Sequence, residues 1–235
     1  MLIPLPDHDF DVTEVSIPWS RFTEQGYETV FSTEHGRVAA ADPLLISGVI
    51  FGQLGAKPEA VACYDRMRQT TAFLHPIRYR DIDPSQFDAL LLPGGHASGM
   101  KQYLENSVLR EKVLGFFQAN KPVAAICHGL IVLARTLDPT TGRSVLYGRQ
   151  VTGLLKSLER TGFYLTFWKL GGYYRTYPAY VEDEIKDSLQ APSDFRKGKA
   201  PWIPFVVRDR NLITARWPKD ANCFAQEVIR MLESI

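Results

Sequence analysis

A chain of 235 residues, 45% hydrophobic and 23% charged, carries enough apolar material to bury a large core without disulfide staples. Its formal net charge of +1 gives no electrostatic ground for a nucleic-acid or membrane-surface binder. No apolar run approaches the ~18 residues of a membrane span, the opening MLIPLPDHDF lacks the pattern of a secretory signal, and Cys63, Cys127 and Cys223 make neither a disulfide framework nor a zinc motif. A reducing, cytoplasmic setting is expected.

In chain order, LIPL (2–5) is a short apolar run that Pro4 weakens as a strand. Residues 13–25 have helical spacing with Gly26 as the stop, and ETVFST (28–33) predicts a strand. Asp42-Pro43 opens a short helix over 42–54, and 58–74 predicts one amphipathic helix. FDALLLPGG (87–95) is a buried strand ending in a glycine pair, followed by a helix over 107–120. KPVAAIC (121–127) is a second buried strand, with a helix starting at His128. Residues 205–216 predict a hairpin around Asp209-Arg210-Asn211, and 220–235 a closing helix. The segment 160–201 is expected to be an aromatic loop region, and 40–75 a small helical and loop insertion. No linker divides the chain, so 1–235 is expected to be one domain.

Continuous apolar strands alternating with helices imply an α/β fold whose mostly parallel sheet is covered on both faces. Such sheets bind ligands at the carboxyl ends of their strands, where Gly94, Gly95 and Cys127 fall. The stretch PVAAICHGLIVL therefore poses a choice between an inert buried thiol and a nucleophile on a tight strand-to-helix turn. Ala124, Ala125 and Gly129 leave room for such an elbow, and the helix N-terminus is expected to lower the thiol pKa. A hydrolase or amidotransferase triad needs a histidine well downstream of the nucleophile. The five histidines (His8, His35, His75, His96, His128) include none after 128, which leaves His128 as the near partner of Cys127. His8 with Asp11 has poor spacing for a metal, and no metal site is expected.

AAICHG preceded by DALLLPGGH, with DFDVTEVSIPW near the start and VVRDRNLITARWPKDA near the end, resembles the ThiJ/PfpI superfamily. The resemblance implies a flavodoxin-like three-layer sandwich with Cys127 as nucleophile and Glu14, from TEVSIP, as its acidic neighbour. PGGHASGM lacks the carboxylate that the PfpI-like branch uses to complete a triad. Resemblance to the glyoxalase III, or heat-shock chaperone-like, branch instead implies Glu159, in GRQVTGLLKSLE, as the acid that orients His128. Carried over in the same way, the backbone N–H groups of Gly95 and His128 would form the oxyanion hole, with Gly94 and His96 touching substrate. A homodimer is implied too.

The expected activity is glyoxalase III-like: attack of Cys127 on a small 2-oxoaldehyde, proton transfer by Glu14 or His128, and release of a 2-hydroxy acid without a cofactor. Two alternatives stand beside it. One is another cysteine-dependent hydro-lyase or hydrolase, such as an isonitrile hydratase, amidase or peptidase. The other is a stress-response holdase or redox sensor built on an oxidisable Cys127.

Overall fold

The computed structural model describes residues 1–49 and 54–234. Strands β1 (Leu2–Pro4), β2 (His8–Phe10), β3 (Val30–Thr33), β4 (Ala40–Ala41) and β5 (Ile77–Arg78) fill the first part of the chain, and β6 (Leu90–Leu92), β7 (Val123–Ile126), β8 (Val206–Asp209) and β9 (Leu212–Ala215) follow. Among the described residues, seven of these form one sheet in the order β5-β3-β1-β6-β7-β9-β8, and β2 pairs with β4 apart from it. Every pair in the large sheet is parallel except the β8–β9 hairpin, whose Asp209↔Leu212 pairing leaves Arg210-Asn211 as a two-residue turn.

Helices α1 (Val12–Glu24), α2 (Pro43–Ser47), α3 (Pro58–Met67) and α4 (Thr71–Leu74) precede α5 (Lys101–Leu104), α6 (Ser107–Gln118) and α7 (Gly129–Ala134). The last three are α8 (Lys156–Leu170), α9 (Val181–Ser188) and α10 (Ala221–Glu233). Helix α1 packs between α3 and α10 on one face of the sheet, while α6 and α7 lie together on the other. Strands β6 and β7 are buried at every position, as strands covered on both faces must be. This is the flavodoxin-like α/β sandwich expected. No helix among the described residues is long and apolar enough to cross a membrane.

Pro4 sits in a central strand, and the ladder explains why that is tolerated. Leu2 donates to Ala89 beside β6, and Leu5 donates to Ser32 on β3. Alternation along the strand therefore aims the missing Pro4 donor at the β6 side, where the β1–β6 register is confined to Leu2↔Leu90. The chain loses little pairing there.

Two expectations need correction. The helix expected over 58–74 is broken into α3 and α4 because Thr70 intervenes. Its Oγ1 donates to the Met67 carbonyl at 2.7 Å and accepts from the Phe73 N–H, so a β-branched hydroxyl replaces the helical ladder with a cap. The aromatic segment is also not a loop throughout, since 156–170 is helical and ends at Gly171, with φ 54°. Only Glu159 and Thr166 of α8 are buried, while Tyr164, Leu165, Phe167 and Trp168 are exposed. Phe163, Tyr164, Leu165, Phe167 and Trp168 stand almost consecutively, so the segment shows no helical stripe in sequence. Of the helix expected over 42–54, α2 accounts for 43–47, and 50–53 lie outside the described residues, as does residue 235 of the closing helix.

Candidate active site

The strand order reverses between β1 and β6, because β3 lies to one side of β1 while β6 and β7 run out on the other. Such a switch point opens a crevice at the carboxyl ends of the strands. Glu14 enters from α1, Gly94 and Gly95 follow β6, and Cys127 follows β7, so all four reach this crevice. A cavity of about 860 Å³ lies elsewhere. Met1, Ala89, Lys121, Pro122 and Asn211 line it, and these sit at the amino ends of the strands, away from the reactive groups.

Cys127 adopts φ 57°, a left-handed conformation that a non-glycine residue rarely takes and that costs on the order of 1 kcal/mol. Its N–H donates to Ala215 O at 3.1 Å, which ties the turn to β9. Gly129 then has to be glycine, because a Cβ there would lie 2.2 Å from Leu92 O and 2.7 Å from Pro93 O. The strained cysteine and the close-approach glycine together form a nucleophile elbow.

Glu14 is held from two sides. Asp11 caps α1 by accepting from the N–H groups of Thr13 and Glu14, which fixes the first turn. Gly94 N–H then donates to Glu14 Oε2 at 2.9 Å. A Cβ on Gly94 would come within 2.8 Å of Glu14 Oε2 and 2.9 Å of Cys127 Cβ, so acid and thiol share the space a side chain would fill. Gly94, expected to touch substrate, holds the acid through its N–H. Glu14 Oε1 is buried with no conventional hydrogen-bond partner. Burial, reinforced by the Asp11 charge, raises the Glu14 pKa well above the usual range and favours the protonated carboxyl.

Burial also raises the Cys127 pKa, and the nearby acidic side chains of Glu14 and Asp11 add to the shift. Among its main influences only the His128 N–H pulls the other way. The expectation of a thiol lowered by the helix N-terminus is therefore corrected: α7 offers one favourable donor, which burial outweighs. Cys127 rests as a thiol.

His128 Nδ1 lies 3.5 Å from Cys127 Sγ. Burial first, then the neighbouring His96 and the Arg175 charge, hold the His128 pKa well below its ordinary value, so the imidazole is a neutral proton acceptor. The His96 ring packs edge-on against His128 at a centroid distance of 4.8 Å and against Tyr174 at 6.3 Å. Burial lowers the His96 pKa to about 4. Sequence adjacency singled out His128 alone, but the fold brings His96 to the thiol as well. Cys127 has no exposed surface and His96 is half-buried beside it.

Glu159 does not reach His128, and its role as the orienting acid is corrected. Its Oε1 accepts from Arg175 at 3.0 Å, and its Oε2 accepts from the Val181 N–H that opens α9. Glu182 of α9 accepts in turn from the Lys156 N–H that opens α8. The two helices cap one another, and an anion at a helix N-terminus explains why Glu159 stays there. Arg175 is the site residue missed in sequence. It lies in GGYYRTYPAY, and nothing in that stretch marks it out. The same segment walls the site: Tyr174 donates to Asp42 Oδ2 at 2.8 Å, and Thr176 Oγ1 donates to His96 O at 2.7 Å.

The family described as ThiJ/PfpI family-like matches the chain over residues 5–196. Glyoxalase 3 of Candida albicans is 23% identical over 224 residues, which span 94% of this chain and 89% of that one. Deglycase PfpI of Pyrococcus furiosus is 28% identical over 230 residues, 97% of either chain. An uncharacterized protein of Schizosaccharomyces pombe is 35% identical over 136 residues, and the match spans 57% of this chain but only about half, 49%, of that relative. Among solved structures, glyoxalase III from Candida albicans superposes with a TM-score of 0.73 at 22% identity, covering 97% of this chain and 95% of the other, a likeness of fold.

Proposed function

Since the chain belongs to the ThiJ/PfpI family, we propose that it is a cysteine-dependent enzyme of small reactive carbonyls. The reaction is conversion of a 2-oxoaldehyde such as methylglyoxal to a 2-hydroxy acid. Relatives along nearly the whole chain are named for glyoxalase and deglycase chemistry, which supports this class. The observation that carries the reading is the elbow itself: Cys127 at φ 57° between a buried carboxyl and a neutral imidazole.

Neutral His128 takes the thiol proton as Sγ bonds to the aldehyde carbon. Glu14, protonated and hydrogen-bonded with the Cys127 thiol, gives its proton to the carbonyl oxygen, and a thiohemiacetal results. The N–H groups of Gly95 and His128 stabilise charge on that oxygen. The Glu14 carboxylate next removes the C1 proton while protonated His128 gives its proton to the C2 oxygen, forming an enediol. Glu14 then protonates C2 as His128 takes the C1 hydroxyl proton, leaving a 2-hydroxy thioester on Cys127. Water releases the acid, and the protons return to Cys127 and Glu14. None of these steps needs a cofactor. A hydrolase of the deglycase type shares the attack and differs in the group released.

Chiral product analysis tests the proposal. Wild type is expected to convert methylglyoxal to lactate without glutathione, Cys127→Ala to lose the activity, and intact mass to show an adduct on Cys127. Equal turnover by Cys127→Ala refutes it. Release of amine from a glycated peptide, with no lactate from methylglyoxal, assigns the hydrolase instead.

A further inference from the structure

One donor atom each from His96, Cys127 and His128 lies within 4.8 Å of the other two. The Cys127 Sγ and His128 Nδ1 atoms are 3.5 Å apart. Tetrahedral zinc, with bonds of about 2.3 Å to sulfur and about 2.0 Å to nitrogen, sets a sulfur–nitrogen edge of about 3.5 Å and a nitrogen–nitrogen edge of about 3.3 Å. The Cys127–His128 edge already has that length. The widest gap in the cluster closes with a movement of at most about 1.5 Å. His96 can supply this movement, because it is half-buried and meets His128 edge-on, while its own carbonyl is anchored by Thr176. A thiolate with two imidazoles suits a borderline d-block ion and not magnesium or calcium.

We propose that His96, Cys127 and His128 form a binding site for a borderline divalent cation, Zn²⁺ above all, which holds Cys127 as a metal thiolate and withdraws it from reaction. On binding, the Sγ–H bond breaks, an Sγ–Zn bond forms, and the proton leaves to solvent. Both imidazoles donate nitrogen lone pairs, and nothing is oxidised or reduced. Three protein ligands leave the fourth position to water. The inhibitory part rests on the proposed use of Cys127, whereas binding does not. The site differs from the His8–Asp11 pairing that sequence spacing discounted.

The test uses the full chain stripped with a chelator and titrated with Zn²⁺ or Co²⁺. One Zn²⁺ per chain is expected, slowing iodoacetamide labelling of Cys127 by about tenfold or more, with reversal by chelator. Co²⁺ is expected to give a thiolate-to-metal charge-transfer band that Cys127→Ser abolishes and the double variant Cys63→Ser/Cys223→Ser keeps. His96→Ala is expected to weaken Zn²⁺ binding by at least about tenfold. Undiminished labelling under Zn²⁺, a band that survives Cys127→Ser, or unchanged affinity in His96→Ala overturns the site. Zn²⁺ protection without any carbonyl turnover keeps the metal site and refutes the reaction, and turnover without protection does the reverse.

Discussion

Glu14→Gln isolates the proton that the buried carboxyl retains. The amide has the same shape, its oxygen can still accept from Gly94, and it matches the neutral form that burial enforces. In wild type the folded carboxyl has a raised pKa, while the unfolded one titrates near 4.5. Between those values the folded state holds one more proton, so stability is fully present below the unfolded pKa and falls as pH rises toward the folded one. One proton corresponds to about 1.4 kcal/mol per pH unit. Urea unfolding at pH 5 and pH 6 should therefore show the stability of Glu14→Gln, relative to wild type, rising by about 1.4 kcal/mol across that unit. Asp11 titrates in both proteins and cancels in the difference. Methylglyoxal turnover should drop by about 10²–10⁴-fold, because the amide can neither give nor take the proton. A stability difference that is flat with pH would falsify the protonated carboxyl, and with it the acid role given to Glu14.

Three other perturbations probe the frame of the site. Gly129→Ala forces a methyl against the Leu92 and Pro93 carbonyls and should cost about 3 kcal/mol in denaturant unfolding; a cost below about 1 kcal/mol would mean that the elbow relaxes easily. Arg175→Gln leaves Glu159, with its side chain only 2% exposed, without its cation, at a cost of about 2 kcal/mol given the partial exposure of Arg175. The same change removes a positive charge near His128, so the acid limb of the activity profile should move to higher pH; an unmoved limb would separate Arg175 from the imidazole. Arg216→Met strands Asp220, since both side chains are fully buried and joined at 2.8 Å, and calorimetry together with urea unfolding should show a loss of about 3–5 kcal/mol. A loss under about 1 kcal/mol would show that the backbone N–H groups of Phe205 and residue 216, from which Asp220 also accepts, or a proton hold the carboxyl without the guanidinium.

The parallel α/β sheet and the elbow were legible in sequence because both follow local rules. LLL at β6 and VAAI at β7 are apolar at every position, which only a strand covered on both faces requires, and each ends where glycine or a small residue permits a sharp turn. Cys127 could be placed at the end of its strand for the same reason. Glu14, by contrast, looks like an ordinary residue in the first turn of an amphipathic helix. Its place beside the thiol was implied only by resemblance, and the folded chain accounts for it through the Asp11 cap and the Gly94 N–H.

The partners of His128 were settled by tertiary structure alone. Glu159 is far from the thiol in sequence, and its destination depends on which cation and which helix end it meets. Arg175 and the start of α9 are nearer in space than the imidazole, and they satisfy both of its oxygens. His96 reaches His128 because β6 and β7 are adjacent parallel strands whose carboxyl ends face the same crevice. Local pattern thus determined the strand, the turn and the thiol. Burial and charge, which arise only when distant segments meet, decided the protonation of the thiol and the acid and the neighbours of the imidazole.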